Sequence, residues 1–464
     1  MGKFECRSSD SAATASRLTS LLARALLALL IVALVADDAS PLLDVESARA
    51  QDQSARANEE TQDVVVVLPQ DVDAAGVLRS LDIRPSHRFG RVVNGFAADV
   101  PPGIKRALER IPGAIVSPNR RVETTQRVEA EGKKRKKRRR KRRRRQQQQP
   151  AASGPAQVLP TGITRIAVDE NARADIAQDG GAIAVDVAVL DTGIAPHPDL
   201  TVAGGKACTS QGTGDADGHG THVAGTIGAR DNDIGVVGVA PGARLYAVKV
   251  LNDNGVGSYA SLICGLDWVV ANADTIDVVN MSLGGDAPET TCANDALHRA
   301  VCNVVLAGIP VIVAAGNERD DAANHFPANY DEVITVSALT DFNGEPGGGA
   351  AATCASDRDD SFANYSNYGP EVDIMAPGTC IRSTLPGGVY GVFSGTSMAT
   401  PHVTGAVALY LETNPAATPA DVRAYLLSPS ASRPQQSPEG LAVDDDTDGF
   451  SEPVLYVPVG APGG

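Results

Sequence analysis

The sequence predicts an α/β protein: a mainly parallel, doubly wound sheet preceded by a small α+β unit of split β-α-β type. Three observations carry that prediction. From about residue 160 short apolar runs alternate with helical segments opened by glycine, the pattern of parallel strands with helices on both faces. Residues 63–123 follow a different order, β-α-β-β-α-β, within one short stretch. Between the two lies a segment that cannot pack. Residues 133–145 read KKRKKRRRKRRRR, and four glutamines and a Pro/Ala/Ser/Gly stretch follow, which describes a solvated linker.

The chain opens with Lys3, Arg7 and Arg17 ahead of the apolar run Ala25–Ala36, and Ala48, Arg49 and Ala50 offer a small-x-small site before Gln51. This is the layout of a secretory signal peptide over residues 1–50. Twelve apolar residues fall short of the roughly 20 needed to span a bilayer. The expectation is an exported protein, extracellular and free of the membrane once the leader is removed.

Residues 63–126 are expected to form the small unit. Val64–Val67 reads as a buried strand and Ala74–Leu81 as a helix starting after Asp71 or Asp73. Phe89–Phe96 reads as a strand, and Pro101–Glu109 as a helix with proline in its first turn. A last strand starts at Ile115 and ends near Glu123. The linker is then assigned to 127–159 and the larger domain, with its C-terminal extension, to 160–464. In that domain Val185–Leu190, Leu245–Val250, Val278–Met281 and Val311–Ala315 read as strands, and Leu262–Ala271 and Asp295–Ala307 as helices. In such a sheet the site lies at the carboxyl ends of the strands.

Composition narrows the function classes. Apolar residues make up 43% and charged residues 21%, a globular composition. The net charge of −15 is a sum over unlike parts: from Ala151 onward there are 12 Lys/Arg against 38 Asp/Glu. A uniformly basic nucleic-acid binder is excluded, and so acidic a body should avoid polyanions. Seven cysteines divide into Cys6 in the leader and six beyond residue 200, an even number that in an exported chain points to disulfides. Six allow 15 pairings. Cys292 and Cys302 lie ten apart, Cys354 and Cys380 bracket one segment, and Cys208 and Cys264 remain.

Three motifs carry the chemistry. Val187–Gly193 (VAVLDTG) ends a buried strand on the carboxylate of Asp191. Gly218–Thr226 (GHGTHVAGT) sets His219 at the opening of a small-residue helix, and Gly395–His402 (GTSMATPH) sets Ser397 at another glycine-opened helix. A serine hydroxyl is a poor nucleophile until a base takes its proton. A buried carboxylate holds the imidazole in the tautomer that can do so.

With these strings the sequence resembles the subtilases, the subtilisin- and proteinase K-like serine peptidases, over roughly residues 160–425; the chain order Asp, His, Ser is theirs. The resemblance implies Ser397 as nucleophile, His219 as general base and then acid, and Asp191 as its orienter. Val313–Asn317 (VAAGN) matches the oxyanion segment, with Asn317 donating its amide alongside the Ser397 N–H. Asn280–Gly285 (NMSLGG) matches the strand that pairs with substrate backbone. The S1 pocket would lie between Ser282, Leu283, Gly284 and Ala314, Ala315, Gly316, small residues that imply a broad apolar-to-aromatic P1 preference. Residues 63–126 look like the inhibitory propeptide of such enzymes, an intramolecular partner released by a cut between about Glu123 and Ile163.

No cofactor is expected for catalysis. Asp199 and Asn232, with main-chain carbonyls of Arg230, Ile234 and Val236, match positions that hold a structural calcium in many relatives. Asp444, Asp446, Asp448 and Gly449 begin a calcium-loop pattern, but Leu455 stands where its closing glutamate belongs, so they read as a solvated acidic turn before a strand at Pro453–Val457. His222 and His402 read as packing residues of their helices, and His325 as a loop histidine near the S1 rim. The function implied is a secreted, monomeric serine endopeptidase made as a self-processed precursor and acting on polypeptides. The competing readings are a narrow-specificity processing protease and a non-catalytic binding protein on the same fold.

Overall fold

Four consecutive valines open the first ordered element and dictate its position. In the computed structural model, which describes residues 60–125, 155–176, 181–435 and 449–458, they lie in β1 (Gln62–Val67) at the middle of an antiparallel sheet. Its neighbours are β2 (His87–Phe89), β3 (Gly95–Val100) and β4 (Ile115–Pro118), in the order β2-β3-β1-β4. Side chains alternate along a strand. Val64 and Val66 therefore enter the unit's own core with Phe96 of β3 and with Val77, Leu78 and Leu108 from its two helices, Ala74–Ser80 and Pro102–Glu109. Val65 and Val67 face the opposite way, into a core shared with the larger body. Both faces are covered, so the run is apolar without alternation.

Two expected strands come apart. Phe89–Phe96 is not one strand: Gly90–Asn94 form the connection of a β2–β3 hairpin. The strand expected from Ile115 to Glu123 breaks at Asn119 and Arg120, and its second half, β5 (Arg121–Thr124), leaves the small sheet altogether. The periodicity of the stretch is continuous, but the two halves are buried by different partners.

The body is organised by a ten-stranded sheet. In chain order it contains β6 (Asp186–Asp191), β7 (Thr201–Ala207) and β8 (Arg244–Lys249). After the short β9 (Val256–Ser258) come β10 (Val278–Met281), β11 (Leu283–Asp286), β12 (Val311–Ala314), β13 (His325–Phe326) and β14 (Ile334–Thr340). Then follow β15 (Ser361–Phe362), β16 (Ile374–Pro377), the hairpin β17 (Ile381–Leu385) and β18 (Val389–Phe393), and finally β19 (Ser432–Arg433) and β20 (Val454–Leu455). The sheet order is β19-β20-β16-β14-β12-β10-β6-β8-β7, with β15 on β14. Every pair from β7 to β20 along this path is parallel. One core packs each face of the sheet, with the helix Thr396–Thr413 in one and the helices Tyr259–Ala271 and Ala296–Leu306 in the other. The chain builds outward from β6 to one side and then returns to build from β10 to the other. That reversal opens a crevice at the carboxyl ends of β6 and β10.

The larger domain begins before residue 160. Val158 N donates to Gly235 O at 2.9 Å, Gln157 N to Asp233 O at 3.0 Å, and Gly235 N to Pro155 O at 2.8 Å. Low complexity marks the preceding linker, but 155–158 is edge backbone paired by main-chain bonds that side-chain pattern does not reveal. The signal-peptide segment, the polybasic run, Asp444, Asp446 and Asp448 lie outside the described residues. The six cysteines come together as Cys208–Cys264, Cys292–Cys302 and Cys354–Cys380.

Candidate active site

Asp191 is the last residue of β6 and is fully buried at the crevice. Its two oxygens accept from His219 Nδ1 at 2.8 and 2.9 Å, and Oδ1 also accepts from the Thr192 N–H at 2.6 Å. His219 is the first residue of the helix His219–Gly228. Gly220 beside it has to be glycine, because a Cβ there would stand 2.2 Å from the Gly193 carbonyl oxygen. Burial alone would push the imidazole pKa down; the charge and hydrogen bond of Asp191, helped by Asp217 and Asp215, outweigh it and raise the pKa above 6.5. With Nδ1 bound to Asp191, Nε2 is buried and has no partner.

Sequence reading missed the group that holds this pair in place. The Asp215 carboxylate accepts from Thr192 Oγ1 (3.1 Å), Gly218 N (2.8 Å), Thr221 N (2.9 Å) and Thr221 Oγ1 (2.6 Å). It ties the turn after β6 to the start of the histidine helix. The only signal was an aspartate four residues before His219, which any loop could supply.

Ser397 lies in the first turn of the helix Thr396–Thr413 and is fully buried. Its Oγ donates to Ser282 O at 3.1 Å and lies 2.6 Å from Thr125 Oγ1. Asn317 follows Gly316, which has φ 110°, in the turn that leaves β12. Its Oδ1 accepts from Thr396 N at 2.9 Å and from Thr396 Oγ1, which orients the amide so that Nδ2 donates to the Thr125 carbonyl. The Ser397 N–H donates to that same oxygen at 3.4 Å. A second unforeseen residue, Asn367, holds this turn: its Oδ1 accepts from Glu318 N and Asp320 N, and its Nδ2 donates to Ala315 O.

Residues 121–125 run through the crevice as an inserted strand. β5 pairs antiparallel with β11, Thr124 opposite Leu283 and Glu123 opposite Gly284. On its other edge it pairs with β9, Glu123 opposite Val256 and Val122 opposite Gly257. The β9 edge was not foreseen, since three residues carry no periodic signal. Gly284, Ala314, Ala315 and Gly316 line a cleft of about 520 Å³ with Thr125. Ser282 does not line it; its Oγ donates to the Ser397 carbonyl at 2.9 Å. Asp286, Glu318 and His325 do line it. The His325 ring is buried, 3.2 Å from Asp286 and 3.3 Å from Asp320.

The expected metal residues also converge. Asp199 is fully buried; its Oδ2 accepts from Val236 N at 3.2 Å and Tyr390 Oη at 2.8 Å, while Oδ1 has no partner. Arg230 N donates to Asp199 O, Asn232 Oδ1 accepts from Ile234 N, and the Arg230 guanidinium turns to Thr201 and Pro198. Gln157, which sequence reading left in the linker, joins them: its Oε1 accepts from Asn232 N at 2.8 Å. An unsatisfied buried carboxylate oxygen among amide and main-chain oxygens fits a hard cation. His222 and His402 are fully buried in their helices, bonding Ile381 O and Met398 O.

A profile of the subtilase family matches residues 183–447, a span that contains Asp191, His219, Asn317 and Ser397. The chain belongs to the subtilase family. Subtilisin NAT from Bacillus subtilis subsp. natto is 45% identical to this subtilase over 280 residues, 59% of this chain and 66% of that protein. The chain thus spans just under two thirds of the length of that relative. A subtilisin from Bacillus pumilus is 44% identical over 280 residues and is covered to 92%. A solved cold adapted subtilisin-like serine proteinase is 33% identical, with a TM-score of 0.49, over 64% of this chain and 97% of that one.

Proposed function

We propose that this subtilase is a serine endopeptidase, exported as a precursor in which the inhibitory unit expected over residues 63–126 occupies the substrate crevice through residues 121–125. The observation that carries the reading is the setting of the Thr125 carbonyl. It accepts from Asn317 Nδ2 and Ser397 N, beside the Ser397 hydroxyl. Two donors at one carbonyl oxygen are what a tetrahedral oxyanion needs. β5, between β9 and β11, has the antiparallel form of a bound substrate, and main-chain pairing of that kind gives affinity with little sequence selectivity.

In the reaction, Ser397 Oγ adds to the substrate carbonyl carbon while its proton passes to His219 Nε2. Asp191 holds the ring and stabilises the imidazolium. The oxyanion is held by Asn317 and the Ser397 N–H. The proton then goes to the leaving amine, and a water activated by His219 hydrolyses the ester. The signal-like layout of residues 1–50 supports export. Among the described residues no helix is long and apolar enough to cross a membrane.

For P1, the small walls at Gly284 and Ala314–Gly316 support a broad apolar-to-aromatic preference. The acids Asp286 and Glu318 at the same cleft favour the second reading, a narrower processing enzyme that selects Lys or Arg. Cleavage of a peptide library separates the two. Asp199, Asn232 and Gln157, with neighbouring carbonyls, would hold a structural calcium that ties Pro155–Val158 to the body and takes no part in the chemistry. The function itself is tested by Ser397→Ala. The expected result is an uncut precursor and casein hydrolysis at background. Purified Ser397→Ala that matures and hydrolyses casein as the wild type does would exclude the mechanism.

A further inference from the structure

We propose that Cys292, His298, Cys302 and Glu332 form a redox-gated site for one zinc-class divalent cation. When the Cys292–Cys302 disulfide is reduced, two thiolates, an imidazole and a carboxylate hold the ion, and reoxidation expels it. The proposal does not depend on the peptidase reading. The fold brings the four residues together from three places. His298 and Cys302 are four apart on the helix Ala296–Leu306, so they share one face. Cys292 lies in the turn before that helix, bonded to Cys302. Glu332 comes from the turn ahead of β14. One ligand atom of each lies within 4.8 Å of all the others. His298 and Cys302 are buried while Cys292 and Glu332 are half-buried, which leaves a way in for an ion.

The surroundings point to a ligand and not to a disulfide alone. Glu332 Oε1 stands 3.1 Å from Cys292 Sγ. A disulfide sulfur has no hydrogen to give, so that approach is no hydrogen bond while the disulfide is closed. Glu332 Oε2 is 2.8 Å from His298 Nε2, so one carboxylate spans the nitrogen and the sulfur. The other ring nitrogen, Nδ1, meets Thr290 Oγ1 at 3.0 Å, the kind of partner that orients a metal-bound histidine. The Tyr330 ring stacks on the imidazole with centroids 3.8 Å apart and sets its plane. Sulfur and imidazole together select zinc-like ions over calcium. Zinc bonds of about 2.0–2.3 Å put tetrahedral ligands about 3.3–3.8 Å apart, so the nitrogen–oxygen and sulfur–oxygen edges open by less than about 1 Å. The sulfurs must part farther, to about 3.8 Å. Their Cα atoms, 6.2 Å apart, allow that by side-chain torsion. The loaded site carries one net negative charge, and Arg299, whose Nε donates to the Cys292 carbonyl, stands beside it.

The steps balance. A dithiol reductant supplies two electrons and two protons, the sulfur–sulfur bond breaks, and the reductant closes to its own disulfide. The ion then displaces the two thiol protons. Exchange with a disulfide oxidant reverses both steps. A newly made chain has the same thiols before its disulfides form, so ion and disulfide are successive staples of one turn to one helix.

The test uses full-length Ser397→Ala, which cannot digest itself, reduced without oxygen, freed of reductant and titrated with cobalt(II) and then zinc, with circular dichroism to follow folding. The expected result is one cobalt with tetrahedral visible bands and a sulfur-to-cobalt charge-transfer band, displaced by one zinc, and no such band in the unreduced chain. Cobalt held by oxygens, as at Asp199, gives no sulfur band. A folded, reduced chain without the band overturns the proposal, and so does the same band in Cys292→Ser/Cys302→Ser. His298→Gln and Glu332→Gln should each weaken binding at least about 100-fold, since even the outer partners of a ligand are worth about 10–100-fold; unchanged affinity in both would reduce the site to two thiols and overturn it. Cys302→Ala decides the matter if the reduced chain unfolds. It keeps Cys292 as a thiol beside His298 and Glu332 with the other two disulfides closed, so no reductant is needed. Its single thiolate should give the charge-transfer band at about half intensity, one sulfur being bound in place of two; no band there overturns the proposal.

Discussion

Asn317 uses both ends of one amide. Its oxygen is committed to Thr396, which leaves the nitrogen aimed at the carbonyl in the crevice. Asn317→Leu removes that donor, and kcat should fall on the order of 10²–10³-fold with KM little changed. Steady-state kinetics on a peptide substrate, with the variant matured by added wild-type enzyme, measure the split; an equal rise in KM with kcat unchanged would assign Asn317 to ground-state binding. His219 gives a prediction in pH. Catalysis needs the neutral ring, so kcat/KM should climb with pH through the raised pKa of His219. Asp217 is one of the charges that raise it. Asp217→Asn should therefore move the acid limb of the pH–kcat/KM profile to lower pH, and a limb that stays in place would exclude that coupling. At this scale the sequence was most legible where one residue type at a helix start has one chemical use, as with His219 and Ser397. Asp215 and Asn367 escaped because their roles exist only through partners brought close by the fold. Asn367, for instance, bonds Ala315, 52 positions earlier.

At the scale of elements, the small unit is held to the body by helix ends as well as by β5. The N–H groups of a helix's first turn lack partners within the helix. Asn119 Oδ1 accepts from Ala260 N at the start of Tyr259–Ala271, and Ser117 Oγ accepts from Ala296 N at the start of Ala296–Leu306. In the opposite direction, Asp267 on the first of these helices accepts three main-chain N–H bonds from the β2–β3 hairpin: Gly90 at 3.0 Å, Arg91 at 2.6 Å and Val92 at 2.8 Å. Hydrogen bonds to a charged group contribute about 1.5–3 kcal/mol each. Loss of even one at the lower figure weakens binding about tenfold. Asp267→Ala should accordingly raise the inhibition constant of the released fragment by about tenfold or more, measured against the matured enzyme; an unchanged constant would show that the Asp267 bonds contribute nothing to the binding of the small unit. The hairpin that carries this contact was hidden in the sequence. Phe89, Val92, Val93 and Phe96 are all buried, so the turn between β2 and β3 has an apolar content no different from its strands.

Over the whole molecule, buried titratable groups outside the active site set how stability changes with pH, and they pull in opposite directions. His402 is fully buried in the helix Thr396–Thr413, with Nδ1 bonded to Met398 O and Nε2 unpartnered, and burial pushes its pKa down to about 4. The folded chain refuses a proton that the unfolded chain accepts below about 6.5. The stability this residue contributes is thus present above pH 6.5 and is lost as pH falls from 6.5 toward 4. Asp341 has the reverse sign. It lies beside the buried Arg165 with Asp360, and burial raises its pKa to about 7, against the opposing pull of Arg165. The folded chain keeps a proton that the unfolded carboxyl has already released, so stability is gained as pH falls from 7 toward 4. Total stability mixes these slopes, and single variants separate them. In a Ser397→Ala background that cannot digest itself, His402→Gln should gain thermal stability relative to its parent as pH drops from 6.5 to 4. Asp341→Asn should lose relative stability over the same descent, because the parent alone takes up the proton. Scanning calorimetry at half-unit pH steps reads both differences. If the two curves run parallel to the parent, neither group titrates as its burial dictates. The alternation of strands and helices made the sheet legible from sequence, since apolar period reports burial. The Arg165 cluster was not legible, because it joins a single cation to carboxylates about 180 residues away, and only the finished fold removes them together from water.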